Sequence, residues 1–382
     1  MAGALIWGDS ITSPALRHEI PLAVLDPFLY LEDGERRAVV TNALEDQRIA
    51  AVAPDVERIM MDSLGIYDLI GAGMPREEAH REVFVRAVAR FGLSAAVVPD
   101  AFPLALADRL RAEGVELTPD GAAFEARRRR KTDAELAGVR RATEAGIAGM
   151  REAARLLREA AIDGDVLVHD GGPLTSELVR ARIREVCARA GAPAPADIIC
   201  APMRAGDPVG HDTGSGPLPA HAPIAIDLWP QDEASGCWSD MTRTFVRGDV
   251  GDAVVELQRL VMDSHEQACA AVRPGVSGRA IYDVACDVIE AAGYPTQRTK
   301  TSDEPLRHGF PFGLGHGVGL EVHEAPGLGL AGGQALVAGD VVAVEPGVID
   351  PDRGGMRVED LLLVTADGSE NLTAALPYDL TP

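Results

Sequence analysis

No stretch of roughly eighteen uncharged apolar residues occurs in the 382-residue sequence, so it offers no candidate transmembrane helix. Its opening residues, MAGALIWGDS, lack the basic flank and long apolar stretch of a secretory signal, and a cytoplasmic protein with no membrane partner is expected. Positive charge is also scarce, with 36 basic against 59 acidic residues and a net charge of −23. Such a chain repels phosphate backbones, which excludes nucleic acid as an expected partner. Lysine is almost absent: Lys131 and Lys300 are the two in the sequence, and arginine supplies the rest. The five cysteines, Cys187, Cys200, Cys237, Cys269 and Cys286, are odd in number and never spaced as Cys-x-x-Cys, so neither a disulfide framework nor a zinc ribbon is indicated. What is present in quantity is apolar residue, 46% of the chain, enough to exclude disorder and to fill the cores of roughly two to three domains at about 150 residues each.

Short apolar runs alternate with turn signals up to about Gly121, a pattern of α/β type. Strands are expected at Ala38 to Thr41 and Ala95 to Val98, and a helix at Arg76 to Phe91. Trp7, His18 and Tyr30 read as packing or surface residues. A boundary falls near the basic run Arg127 to Lys131, which reads as a solvated connection rather than a nucleic-acid patch. Immediately after it, Thr132-x-x-Glu135 is a capping box, and apolar residues at three- and four-residue steps from Leu136 to Leu157 predict a long amphipathic helix. Further helices are expected at Thr175 to Ala190, Asp252 to Val272 and Ser277 to Ala292, with His265 on an apolar stripe as a structural histidine. Strands are expected at Pro223 to Trp229, Trp238 to Val246, Asp340 to Val344 and Arg357 to Thr365.

Four carboxylates stand in or at the ends of these apolar strands: Asp227, Asp240, Glu345 and Glu359. An ionised carboxylate inside such a strand costs several kcal/mol unless it is paired or binds a metal. If the four converge, their repulsion opposes folding unless cations of total charge near +4 lie among them, and two divalent ions would suffice. A transition ion would also want a nitrogen ligand. The segment Phe312-Gly-Leu-Gly-His-Gly-Val-Gly-Leu-Glu-Val-His-Glu324 supplies His316 among glycines that permit close backbone approach, followed by His323. The nearby Gly327-x-Gly329-x-x-Gly332 does not follow a strand and is followed by too short a helix for a dinucleotide site. There is no phosphate-binding Gly-Lys-Ser/Thr loop and no nucleophile elbow, and His323-Glu324 lacks the second histidine of a zincin.

In their local contexts, Ile-Asp227-Leu-Trp-Pro, Ser-Asp240-Met-Thr-Arg-Thr-Phe, the histidine segment, Val-Glu345-Pro-Gly and Arg-Val-Glu359-Asp resemble the creatinase, aminopeptidase P, prolidase and methionine aminopeptidase family of metallopeptidases. The resemblance implies an α/β N-terminal domain over residues 1–125 and an α+β pita-bread catalytic domain over residues 126–382. It further implies two divalent metal ions, with manganese, cobalt, zinc or iron suited to one imidazole among oxygens. Asp240 and Glu359 would bridge the ions, Asp227 would chelate one, and His316 and Glu345 would complete the other. A metal-bridging hydroxide would be the nucleophile, with Glu345 as general base.

By the same resemblance His323 would stabilise the tetrahedral intermediate or pass a proton to the leaving nitrogen, and His211 would bind substrate. Arg357 would orient Glu359 or hold a substrate carboxylate. The chain departs from the common pattern in a longer Asp227–Asp240 spacing, in Trp229 after the first aspartate, and in Phe312 where prolidase-like members often have histidine. Trp229 and Phe312 are therefore expected beside the substrate. The implied activity is hydrolysis of an N-terminal amide bond in a short peptide or small amide, with Xaa-Pro dipeptidase or aminopeptidase leading and a homodimer expected. A metal-dependent hydrolase or lyase of a small metabolite is the alternative on the same fold. A non-catalytic protein-binding module is the alternative of another class.

Overall fold

The computed structural model describes residues 3–206 and 212–382. The chain divides into two compact units, Met1–Arg128 and Arg129–Pro382. Among the described residues no helix is long and apolar enough to cross a membrane.

In the first unit, strands β1 (Gly3–Gly8), β2 (Phe28–Asp33), β3 (Arg36–Thr41), β4 (Glu57–Met60), β5 (Ala95–Val98) and β6 (Glu116–Pro119) form one mixed sheet in the order β4-β3-β2-β1-β5-β6. Helices α1 (Pro14–Glu19), α2 (Asp46–Val52), α3 (Ile66–Gly71), α4 (Arg76–Phe91), α5 (Leu104–Ala112) and α6 (Gly121–Arg128) connect and cover it. Successive strand residues point to opposite faces. Leu5, Leu29, Leu31 and Val40 therefore join Val83, Phe84 and Leu110 of α4 and α5 in one core. Ile6, Phe28, Tyr30 and Val39 meet Leu16 and Ile49 of α1 and α2 in another. With helices on both faces, the strands can be apolar on both, which is why they read as continuous hydrophobic runs. Tyr30 is fully buried, its hydroxyl donating to Glu32 at 2.8 Å, in agreement with a packing role.

The second unit opens with α7 (Asp133–Glu159), capped as the sequence predicts: the Thr132 hydroxyl accepts from Glu135 N while the Glu135 carboxylate accepts from Thr132 N. There follow β7 (Ala161–Asp163), β8 (Val166–His169), β9 (Gly172–Pro173), α8 (Ser176–Arg189), β10 (Ile199–Pro202), β11 (Ile224–Leu228), β12 (Met241–Phe245), α9 (Asp252–Ala271) and α10 (Gly278–Ala291). The chain ends in β13 (Gly315–Gly317), β14 (Glu324–Leu328), β15 (Val341–Val344), β16 (Gly347–Asp350), β17 (Gly354–Arg357), β18 (Asp360–Val364) and β19 (Ser369–Asn371). Strands β10-β11-β12 form one antiparallel sheet, and β14-β13-β15-β18-β19 form another. The apolar stripes of α7 and α8 cover the first, through Met150, Leu157 and Ile183 against Ile224, Ile226 and Met241. Those of α9 and α10 cover the second, through Val261, Ile281 and Ile289 against Val342, Val344 and Leu362. The two sheets meet where Thr242 of β12 pairs with Glu359, just before β18.

Two expectations are corrected. The strand expected from Arg357 to Thr365 is broken: β17 ends at Arg357, β18 begins at Asp360, and Glu359 stands in the gap, turned onto β12. The basic run is not a solvated connection. Arg128 is buried, and Arg127 pairs with Glu19 and Glu32 inside the first unit. Arg129 makes a bidentate pair with fully buried Asp340 at 3.0 and 2.7 Å, and Lys131 pairs with Glu324, both inside the second unit.

Candidate metal centre

The site is built on adjacent antiparallel strands and completed by the second sheet. Asp227 lies in β11, whose five residues are all buried, and its register partner in β12 is Thr242. Asp240 stands two residues before Thr242 and so on the same face. Glu359 reaches this face because its amide donates to the Thr242 carbonyl at 3.1 Å, while Thr242 Oγ1 donates to Glu359 Oε2 at 2.8 Å. Glu345 follows β15, with its amide donating to Leu314 O at 2.7 Å. His316 is the central residue of β13, and a Cβ on the preceding Gly315 would lie 1.9 Å from Ala343 O. That strand can approach β15 so closely only with glycine there.

The structure brings together Asp227, Asp240, His316, His323, Glu345, Glu359 and Arg357. Potential ligand atoms lie within 4.8 Å of one another in three overlapping groups: Asp227, Asp240 and Glu359; His316, Glu345 and Glu359; and Asp240, His316 and His323. His316 Nε2 is 3.7 Å from Asp240 Oδ2 and 3.6 Å from Glu345 Oε1. Its Nδ1 lies 3.1 Å from Gly317 O. A proton on Nδ1, donated to that carbonyl, leaves the Nε2 lone pair facing the carboxylates. The His323 ring stands edge-on to that of His316, with centroids 4.2 Å apart.

Electrostatics here is dominated by crowding and burial. Asp240 and Glu359, 4% and 2% exposed, both have pKa values raised well above the usual carboxylate range. Burial is the first cause for each, followed by neighbouring carboxylates: Glu359, Asp227 and Glu345 around Asp240, and Glu345 and Asp227 around Glu359. Burial raises Glu345 to about 7, with Arg357 opposing and Asp227 adding to the rise. Burial and then the neighbouring His323 lower His316 to about 4, so this imidazole is neutral near pH 7. Arg357 Nη2 donates to Asp227 Oδ2. Burial works against the Arg357 charge, but Asp227, Glu345, Glu359 and Asp240 outweigh it and raise its pKa.

Two oxygens decide what such a centre suits. Among the described residues, Asp227 Oδ1 and Asp240 Oδ1 are buried and have no hydrogen-bond partner. Orphaned carboxylate oxygens are costly, and a hard or borderline cation satisfies them. With a neutral imidazole beside four carboxylates, the donor set fits divalent transition ions.

The profile of metallopeptidase family M24 matches residues 137–366, a span that includes all five of these residues. The chain belongs to that family. The M24 chain is 36% identical over 138 residues to the uncharacterized peptidase YqhT of Bacillus subtilis (strain 168), covering 36% of each. It is 34% identical over 135 residues to the Xaa-Pro dipeptidase of Pyrococcus furiosus, covering 35% of each. It thus spans about a third of the length of the curated relatives it matches. Among solved structures, the prolidase of Pyrococcus horikoshii OT3 superposes with a TM-score of 0.74 at 23% identity, over 98% of this chain and 94% of that one. The X-Pro aminopeptidase of Thermotoga maritima MSB8 gives 0.77 at 20% identity, over 98% and 96%. These likenesses give this M24 chain the fold of an α/β N-terminal domain followed by a pita-bread domain.

Of the other sequence-expected residues, Phe312 packs against the second core, and its ring tip would lie 3.0 Å from a Cβ on Gly347, beside the Arg357 stem. Trp229 packs against the helix-side core of the first sheet. His211 lies outside the described residues. His265 is buried, with Nε2 3.5 Å from Asp360 Oδ2 and 3.4 Å from Cys269 Sγ, a structural placement. Sequence reasoning missed Thr242 and Arg243. Thr242 holds the Glu359 carboxylate. Arg243, 2% exposed, donates to Glu359 O at 2.7 Å and to Asp360 Oδ1 at 2.7 Å. Their signal was in the sequence: Thr242 is two residues from Asp240, on the same strand face, and Arg243 is a charge in a fully buried strand.

Proposed function

We propose that this chain hydrolyses the amide bond next to the N-terminal residue of short peptides, with Xaa-Pro dipeptides and Xaa-Pro-initiated peptides as leading substrates. The observation that carries the proposal is the convergence of four strand carboxylates and a neutral histidine, with two buried carboxylate oxygens lacking partners among the described residues. Asp240 and Glu359 would be shared between two divalent ions, Asp227 would serve one, and His316 and Glu345 the other; each shared residue belongs to two of the three ligand groups. When bound, the ions supply Lewis-acid polarisation of the scissile carbonyl and acidify water. Manganese, cobalt, zinc and iron all suit the donor set.

The remaining steps belong to the protein. Glu345, which stands at the edge of the cluster with Oε1 3.6 Å from His316 Nε2, is suited by its position to accept the proton of the attacking water and return it. His323, exposed beside His316, is suited to donate to the oxyanion or the leaving nitrogen. Arg357 fixes Asp227 and presents positive charge for a substrate carboxylate, and the Phe312 ring and the Arg357 stem both lie against Gly347. His211 is proposed as a further substrate contact, whereas Trp229, expected beside the substrate, packs into the helix-side core instead. The Xaa-Pro assignment is supported by the likeness to the Xaa-Pro dipeptidase of Pyrococcus furiosus. A division into residues 1–125 and 126–382, a cytoplasmic location and a homodimer complete the proposal.

The test is direct. Purified protein is assayed for bound metal and for hydrolysis of Xaa-Pro dipeptides and longer peptides with added manganese, cobalt or zinc. Glu345→Gln is expected to lower kcat by about 100-fold or more. Unchanged hydrolysis in that variant would refute the mechanism. Metal bound without any peptide cleaved would point to a small-metabolite substrate instead.

A further inference from the structure

The residues His316 and His323 stand on the two flanks of a short glycine-containing connection, anchored on one side by Val318 and Leu320, which pack into the core with Val139 and Val341. On its polar side the connection closes onto a buried ion pair that the proposed chemistry does not use. Lys131 and Glu324 are in contact, and each side chain is 2% exposed. A Cβ on Gly319, in the middle of the connection, would lie 2.5 Å from Lys131 Cε and 2.6 Å from Glu324 Oε1. The loop backbone is therefore closed directly onto the pair. It is pinned further by Trp238 N donating to Gly319 O at 2.7 Å, and by Gly319 N donating to Glu321 O at 2.9 Å.

Both ends of this contact are mechanically defined. Lys131 precedes the capping box that starts α7, so its backbone is set by the Thr132 and Glu135 hydrogen bonds. Glu324 follows His323 directly and is the register partner of Gly317, the residue after His316. Glu324 is thus adjacent in sequence to one histidine and across the ladder from the neighbour of the other. A glycine-rich span has many accessible conformations, and a fixed charge contact selects among them.

We infer that Lys131 and Glu324 are a positioning pair: a buried latch that sets the placement of His323 and His316 relative to the carboxylates. The inference rests on the proposed reading of those histidines as site residues. Neither Lys131 nor Glu324 touches substrate or reacting atoms in this account. They act through the loop.

The experiment compares K131M, E324Q and the double variant K131M/E324L with the unaltered full-length protein. An apolar pair in place of a buried ion pair commonly restores stability, so the double variant separates folding from positioning. Three quantities are read: Tm, kcat and KM with added metal, and the imidazole signals in 1H–15N spectra of the metal-free protein. The expected result is a kcat lowered about 10- to 100-fold in the single variants with little change in KM. In the double variant Tm recovers while kcat does not. The signals of His316 and His323 shift in all three variants while that of His265, on α9, stays in place.

Recovery of kcat together with Tm in the double variant overturns the inference, because the pair would then be structural only. So do unmoved His316 and His323 signals in K131M and E324Q. If the unaltered protein shows no metal-dependent hydrolysis, the proposed function fails. The imidazole signals still decide on the latch, since they need neither metal nor turnover.

Discussion

Removing divalent cations should make this protein lose stability as pH rises from acid to neutral, the reverse of ordinary acid denaturation. In the metal-free fold, Asp240, Glu345 and Glu359 all bind protons more firmly than in the unfolded chain, chiefly through burial, with repulsion from neighbouring carboxylates adding to it and Arg357 opposing it. A carboxyl whose folded pKa is raised contributes stability that is fully present below its unfolded pKa and is lost as pH rises through the folded one. For Glu345 the window runs from 4.5 to about 7. At about 1.4 kcal/mol for each factor of ten in proton affinity, that group alone amounts to about 3 kcal/mol. For a unit of this size the loss corresponds to roughly 6–12 °C in Tm. Asp240 and Glu359 move in the same direction. The assay is calorimetry of chelated protein between pH 4.5 and 7.5, alongside protein saturated with manganese. The chelated protein should melt progressively earlier as pH rises, the gap to the metal-loaded protein should widen, and Asp240→Asn should raise the metal-free Tm at pH 7. A gap that stays constant with pH, or narrows, would refute the reasoning.

Three further outcomes follow from named contacts. Thr242→Val removes the donor to Glu359 Oε2 and should weaken metal affinity about 10- to 100-fold by titration calorimetry, whereas Thr242→Ser should retain it. Arg243→Met leaves Asp360 buried without its charge partner and should cost about 3–5 kcal/mol in urea unfolding. Gly315→Ala places a Cβ into Ala343 O, so β13 must move away from β15; metal affinity should fall more than overall stability, read by the same two measurements.

Most of the centre was legible before folding because it breaks strand rules. Asp227, Asp240 and Glu359 are charges in or against fully buried strands, and such charges require partners wherever the strands end up. His316 announced itself through flanking glycines. The basic run was misread because local charge says nothing about distant pairing. Lys131 meets a carboxylate 193 residues along the chain, and Arg129 meets one 211 residues along. Apolar residues on both sides likewise made Arg357 to Thr365 look like one strand. The break at Glu359 depends on its pairing with Thr242, which belongs to the other sheet.

The sequence by itself singled out the carboxylates and the histidine that the fold brings together, since alternation, capping and the cost of buried charge are local or pairwise rules that act before any partner is known. The tertiary structure decided how they are held. Thr242 and Arg243 became supports for Glu359, and Lys131 a post beneath the histidine loop, only when segments remote in sequence were packed together. A hydrogen bond or ion pair depends on separation in space, which sequence separation does not fix.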